Sequence, residues 1–181
     1  MIQTRKIATL QSYLSDILVL GLTGILAISS SAWAADTATV TATVTVQNVS
    51  VSVSDGTVAY GTLPNNSSSS TIATDLNDRQ IATNNGNVAE QVNIRGTNSA
   101  DWTLAGSAGA DQYVHRFCNL FASGCTSPPT NFTALTTSYT QLATSTAVSA
   151  SSTFDLMLTT PNPSSVFTQQ SVDVTVQAVG L

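Results

Sequence analysis

Few residues in this chain are of a type that performs catalysis. The single histidine, His115, is the one imidazole that could act as the base of a hydrolytic triad, and no G-x-S-x-G segment supplies a nucleophilic serine. Glu90 is the only glutamate, and aspartates such as Asp55 stand beside turn residues, where their carboxylates bond nearby backbone. The sequence therefore predicts a protein that is not an enzyme, with no catalytic residue and no cofactor. A secreted hydrolase is the remote alternative.

One short segment could hold a cation. Asp75, Asn77 and Asp78 bring three oxygen-bearing side chains together within four residues, which makes them a weak calcium candidate. The order of residues is not that of an EF-hand loop, because Arg79 stands where a ligand would be. Turns that use the aspartates as hydrogen-bond acceptors are the simpler interpretation, and we expect no metal here.

The two cysteines, Cys118 and Cys125, enclose the short segment CNLFASGC. Two cysteines in a secreted chain are typical of one disulfide. Together with His115 they could instead ligate zinc, but three ligands without a nearby fourth do not make a structural zinc site. We therefore predict the disulfide Cys118–Cys125.

The first 34 residues have the pattern of a signal peptide. Arg5 and Lys6 precede the apolar run ILVLGLTGILAI, and Ala32-Trp33-Ala34 matches the small-x-small cleavage pattern. A membrane anchor is the alternative, but the run is shorter than the roughly 20 residues of a spanning helix. The sequence thus predicts a signal helix over 1–34, one domain over 35–181, a secreted or cell-surface location, and no membrane contact after cleavage.

The charge of the chain limits its partners. The net charge is −5, and beyond the leader the cations are three separated arginines, Arg79, Arg95 and Arg116. Nucleic acid binding needs a clustered positive surface, so nucleic acid is not an expected partner.

The elements that must position these residues are strands. Apolar residues alternate with polar ones in segments such as STFDLMLTTP and SVDVTVQAVGL, and turn residues separate the segments. About nine or ten such segments predict an all-β fold, an antiparallel β-sandwich of jelly-roll or Ig-like type with one solvated face on each sheet. Strands are expected on both sides of Asn84-Asn85-Gly86, and NFTAL could pair with YTQLA.

The longest alternating run, TATVTATVTVQNVSVSVSDG, changes its apolar face midway. Val40, Ala42, Val44 and Val46 are followed by apolar residues at odd positions from Val49 onward. A shift of one residue turns every side chain to the opposite face, which predicts a bulge or a crossing at Gln47-Asn48 and a turn at Asp55-Gly56. Residues 37–46 either pack on their own domain or form an assembly strand that reaches a neighbouring copy.

Aromatic residues suggest a second role. Sugar-binding sandwiches use exposed aromatic rings, and Trp102, Leu104 and Tyr113 are the candidate binding residues. Because the chain has few aromatic residues, however, we expect Trp102 to be buried between the sheets. The segment Asp101-Trp102-Thr103-Leu104 resembles the Trp-x-Leu motif of WxL-domain surface proteins. That resemblance implies non-covalent attachment to the cell wall.

The leader, the long alternating strand, YGTL, NNGN and the terminal strand together resemble camelysin-like biofilm-fibre proteins. This resemblance implies fibre subunits whose N-terminal strand completes a neighbour's sheet. The expected function is therefore a structural or adhesive surface protein, an envelope or filament subunit whose partner is another copy. The alternative is a module that binds cell-wall or surface glycan through Trp102.

Overall fold

The structure, a computed structural model, describes residues 36–120, 124–126 and 131–181. The signal helix expected at 1–34 lies outside these residues. Contacts between Cα atoms divide the chain into the units Met1–Val44 and Thr45–Leu181, and every strand belongs to the second unit, here called the body. Within the described ranges, no helix is long and apolar enough to cross a membrane.

Ten strands form the body in the part of the chain that the structure describes. They are β1 (Val51–Val53), β2 (Ser68–Ser70), β3 (Gln80–Asn84), β4 (Glu90–Gly96), β5 (Thr103–Leu104), β6 (Gln112–Asn119), β7 (Thr133–Ala134), β8 (Thr140–Thr146), β9 (Ser151–Thr159) and β10 (Val174–Gly180). The larger sheet has the order β1-β3-β9-β6-β5, with β2 also on β9 and β7 also on β6, and the smaller sheet has the order β10-β4-β8. Every pair is antiparallel except β5 with β6. The all-β prediction is confirmed.

The core draws side chains from both sheets. Val92 and Ile94 of β4, expected to face inward, are fully buried, and they belong to one cluster with apolar side chains of the larger sheet. The remaining buried members of that cluster are Ala82, Phe117, Leu135, Leu142, Phe154 and Leu156.

The central strands of the larger sheet do not have the solvated face that alternation predicts. Phe154 and Leu156 of β9 face the core as expected, but Asp155 and Met157 on the opposite face are buried as well. The Asp155 carboxylate accepts a hydrogen bond from Thr71 Oγ1 at 3.0 Å, so the chain after β2 covers this face and supplies its polar partners. The expectation of one wet face is wrong for β9 because a polar residue can be buried when its hydrogen bonds are satisfied.

The strands expected on both sides of Asn84-Asn85-Gly86 are present as β3 and β4, whereas the pairing suggested for NFTAL with YTQLA is wrong. The turn Asn84-Asn85-Gly86 joins β3 to β4, but these strands lie in different sheets. The side chain of Asn84 explains the crossing, because it donates to the carbonyls of Val88 (2.8 Å) and Thr146 (2.9 Å) and accepts from Gly86 N–H. In a hairpin, backbone groups near the turn would pair between the two strands. Here the Asn84 side chain binds such groups of Gly86 and Val88 instead. Likewise β7 pairs with β6 and β8 with β4, instead of with each other.

Two local predictions are confirmed. Cys118 and Cys125 form a disulfide with their Cα atoms 5.7 Å apart, so neither sulfur is a thiolate that could bind zinc. Asp55 and Gly56 adopt φ angles of 63° and 74°, the left-handed conformation for which an Asp-Gly pair is suited. The chain after this turn does not pair with β1, whose partner is β3.

Candidate functional site

An open cleft of about 910 Å³ lies at one side of the body. Its floor is apolar, formed by Phe154, Leu156 and Leu158 of β9, with His115 of β6 beside them. One wall is residues 56–63 and the other is residues 166–174. This volume is near the upper end of the range for ligand sites. The floor is continuous with the core, because Phe154 and Leu156 are buried members of the core cluster.

The cleft lies between two free sheet edges. β1 is the last strand of the larger sheet on one side, and β10 is the last strand of the smaller sheet. Val53 of β1 and Val174 and Val176 of β10 line the cleft. Edge strands present N–H and C=O groups without partners, so this part of the molecule offers both an apolar floor and hydrogen-bonding edges to an extended chain.

The first wall adds to these unpaired groups. Among the described residues, no backbone N–H or C=O of residues 57–63 has a hydrogen-bond partner, although the segment carries Val58 and Leu63 against the cleft. Its contact with the floor is through a side chain, because the Tyr60 hydroxyl lies 3.0 Å from His115 Nε2.

The second wall is fixed by hydrogen bonds near its ends and midway along it. At one end the Asp111 carboxylate accepts from the N–H and Oγ of Ser165, both at 2.7 Å, and the backbone donor is the main reason that the pKa of Asp111 is lowered. Midway along the wall Gln170 Nε2 donates to Asp101 Oδ2 at 2.9 Å, and near its other end Asp173 N–H donates to Thr97 Oγ1 at 3.1 Å. Between the first two of these anchors Phe167 is 84% exposed at the rim of the cleft.

His115 is buried at the floor and is 3% exposed. Burial lowers its pKa to about 4 and raises the pKa of Tyr60, so both groups are neutral at pH 7. Within the described residues Nδ1 has no hydrogen-bond partner, whereas a triad histidine is oriented by a carboxylate on its second nitrogen. The pair contributes packing and one hydrogen bond to the floor, and the described surroundings of His115 do not have the geometry of a triad.

The structure places the three candidate binding residues, Trp102, Leu104 and Tyr113, in different surroundings. Trp102 lines the cleft, is half-buried, and donates from Nε1 to Ser164 Oγ at 3.1 Å. Tyr113 is fully buried 6.3 Å from the Trp102 ring, with its hydroxyl donating to the Thr97 carbonyl. Leu104 packs against the core. Trp102 is therefore the member of this trio that an occupant of the cleft would touch.

The three residues considered as calcium ligands, Asp75, Asn77 and Asp78, lie in the loop after β2 and stabilise it. The Asp75 carboxylate accepts from the N–H and Oγ of Ser70, Asp78 Oδ1 accepts from Gln80 Nε2, and Asn77 has a φ of 54°. Among the residues that the structure describes, no group of three or more His, Cys, Asp or Glu side chains is placed to hold a metal ion.

The expected long first strand is much shorter than its sequence pattern. Strand β1 contains Val51–Val53, and no strand is assigned within residues 36–50. In the first unit, Val40 and Val44 are each 91% exposed and Ala42 is exposed, while Val46 at the start of the body is 81% exposed. We call residues 36–45 the arm.

Comparison of the chain with protein-family models, with curated proteins and with solved structures returns no match. The interpretation of the cleft therefore rests on its own chemistry. Sequence reasoning did not find the cleft, since its lining joins segments far apart in the chain, and no local pattern signals that Tyr60 meets His115 across 55 positions.

Proposed function

We propose that this protein is a non-enzymatic, secreted or cell-surface structural protein, an envelope or filament subunit that assembles by β-strand addition. Residues 37–46 of one copy would bind in the cleft of the next. The observation that carries the proposal is the cleft itself, which lies over the apolar side chains of Phe154, Leu156 and Leu158 and is lined on its two sides by Val53 of the edge strand β1 and Val174 of the edge strand β10. Strand addition obtains affinity from main-chain hydrogen bonds and register from alternate side chains.

The arm has the composition that such a cleft requires. An extended segment of ten residues is about 33 Å long and presents every second side chain to one face. In residues 37–46 one face would carry Val40, Ala42, Val44 and Val46, and the opposite face would carry threonines. The aliphatic side chains among the described residues of this segment are exposed, so their burial in a second copy would be favourable, at about 25 cal/mol for each Å² of apolar surface removed from water.

Two further parts of the proposal concern architecture and location. We infer that the sheets pack face to face as a β-sandwich, because the core cluster contains buried side chains of β4 and β8 together with those of β3, β6 and β9. We infer secretion from the leader pattern over 1–34 and from the disulfide Cys118–Cys125, a bond that is rare in reducing compartments. Cleavage after Ala34 would leave the arm at the amino end.

A saccharide is the competing occupant of the cleft. Trp102 lines it, and an indole ring beside polar wall residues suits the apolar face of a sugar ring. The first wall, however, leaves the backbone groups of residues 57–63 without partners among the described residues, and hydrogen bonds to an added strand would satisfy such groups in a regular row.

The test uses chains 35–181 with one surface changed at a time. The arm variant is Val40→Asn with Val44→Asn, its matched control is Thr41→Asn with Thr43→Asn on the opposite face, and the cleft variant is Val58→Asp. We expect the native chain and the control to form filaments in electron microscopy, and each of the other two variants to sediment as a monomer. A mixture of the arm variant and the cleft variant retains one intact arm and one intact cleft, so it should yield dimers and stop there.

Two results would decide against strand addition. One is a native chain that stays monomeric at high concentration, and the other is an arm variant that assembles as well as its control. If the monomeric native chain binds cell-wall glycan and Trp102→Ala abolishes that binding, the carbohydrate module is the correct function.

A further inference from the structure

The chain that follows the arm is held to the body by side chains. Asn87 donates from Nδ2 to the Val46 carbonyl at 2.8 Å and accepts at Oδ1 from Asn48 N–H at 2.7 Å. Its own N–H donates to the Asn48 carbonyl at 3.1 Å. Two residues further on, Ser50 N–H donates to Glu90 Oε1 at 2.8 Å. The turn before β4 and Glu90, the first residue of β4, therefore bind the chain at positions 46, 48 and 50.

These contacts replace a neighbouring strand. A carboxamide offers one donor edge and one acceptor, as a peptide group does, so Asn87 pairs with the chain as a strand residue would. The turn also fits closely, because a Cβ on Gly86 would collide with the Asn48 carbonyl and with Glu90 Oε1. Glu90 itself is fully buried. The exposed Asn87 is thus held between two closely packed residues of the same chain segment, Gly86 and Glu90.

The hydrogen bonds of Asn87 lie where the sequence pattern changes its apolar face. Apolar residues occupy even positions through the arm and up to Val46, and the odd pattern begins at Val49. Asn48, the second of the two residues between them, bonds to Asn87 through both its N–H and its carbonyl. The reversal at Gln47-Asn48 therefore lies within the segment from Val46 to Ser50 that these hydrogen bonds hold.

We propose that Asn87 is a positioning residue that fixes where the arm leaves the body and so sets the orientation of successive subunits. This inference rests on the proposed function. The bond from Asn87 to the Val46 carbonyl also limits the length of the arm that can enter a neighbour's cleft. With Val46 held, Thr45 is the last residue that is free to enter.

The experiment compares three variants of the chain 35–181. Asn87→Ala removes both side-chain bonds, Asn87→Asp keeps the acceptor for Asn48 N–H but loses the donor to Val46, and Asn85→Ala is the matched control. That control removes a bond from Asn85 Nδ2 to Ser52 Oγ, 2.8 Å long, in the same turn but away from the arm. Hydrogen exchange of the Asn48 amide is measured in monomers kept from assembling by Val58→Asp, and filament twist is measured by electron microscopy.

We expect the Asn48 amide to exchange at least about tenfold faster in Asn87→Ala, and to stay protected in Asn87→Asp and in Asn85→Ala. Filaments of both Asn87 variants should lose their regular twist, whereas Asn85→Ala should retain it. Unchanged exchange in Asn87→Ala, or native twist in its filaments, would overturn the inference and leave the proposed function standing. Absence of filaments from the native chain would remove the proposed function, and this role of Asn87 with it.

Discussion

Tyr60 and His115 meet at the floor of the cleft, with the phenol oxygen 3.0 Å from Nε2 and the rings packed edge to face at 5.7 Å between centroids. This contact joins the first wall of the cleft to the larger sheet through groups that are neutral at pH 7. Because burial stabilises the neutral imidazole, acid should weaken the fold through this residue.

We predict that the free energy of unfolding falls as the pH is lowered from about 6.5 towards 4. The folded-state pKa of His115 is lowered to about 4, so in this window the unfolded chain binds a proton that the folded chain does not. The loss should be a little over 1 kcal/mol per pH unit, on the order of 3 kcal/mol in all. Urea unfolding at a series of pH values measures it. His115→Gln, which has no titrating ring, serves as the control, and an equal slope in that variant would contradict the assignment.

Gly86 should not tolerate a side chain. A Cβ at this position would meet backbone and a buried carboxylate, neither of which can give way easily, so Gly86→Ala should destabilise the body by about 1–3 kcal/mol. Gly106→Ala is the matched control, because a Cβ there meets nothing within 4 Å. Thermal unfolding of both variants provides the comparison. Equal melting temperatures would show that the turn before β4 relaxes without cost.

The disulfide should add moderately to stability. Cys118 and Cys125 are separated by seven positions, and closing so short a ring restricts the unfolded chain by about 2 kcal/mol in the loop-entropy model. We expect the double variant Cys118→Ser with Cys125→Ser to unfold at correspondingly lower urea concentration. Reduction of the native protein with dithiothreitol should produce the same shift, and a native protein indifferent to reductant would show that the loop is held by other contacts.

The buried ion pair should show strong coupling between its partners. Asp155 is fully buried and Arg79 Nε lies 3.1 Å from its Oδ2, with the arginine side chain 35% exposed. Arg79→Met leaves a buried carboxylate with Thr71 as its remaining side-chain partner, and should cost about 2 kcal/mol or more. Adding Asp155→Asn to Arg79→Met should recover part of that loss. A double-mutant cycle from urea unfolding measures the coupling, and strictly additive single effects would argue that the pair contributes nothing.

Local patterns were sufficient for local features and insufficient for the site. Alternation located β9 and β10, and the Asp55-Gly56 pair indicated a left-handed turn, because each signal is contained within a few neighbouring residues. The sheet to which β4 belongs was not accessible in this way, since it depends on Asn84 bonding to the Thr146 carbonyl 62 positions away. The same is true of the cleft, which exists because β1 and β10 end their sheets on the same side.

The two surfaces of the proposed contact have a geometric consequence for the assembly. An arm and a cleft are unlike surfaces of one subunit, so each contact is heterologous and each added copy leaves one of each unused. If the rotation between copies does not close a ring, the product is a directional fibre with a vacant cleft at one tip and a loose arm at the other. Growth at the two tips would then proceed by different encounters, and a soluble peptide with the sequence of residues 37–45 would block elongation at one tip alone.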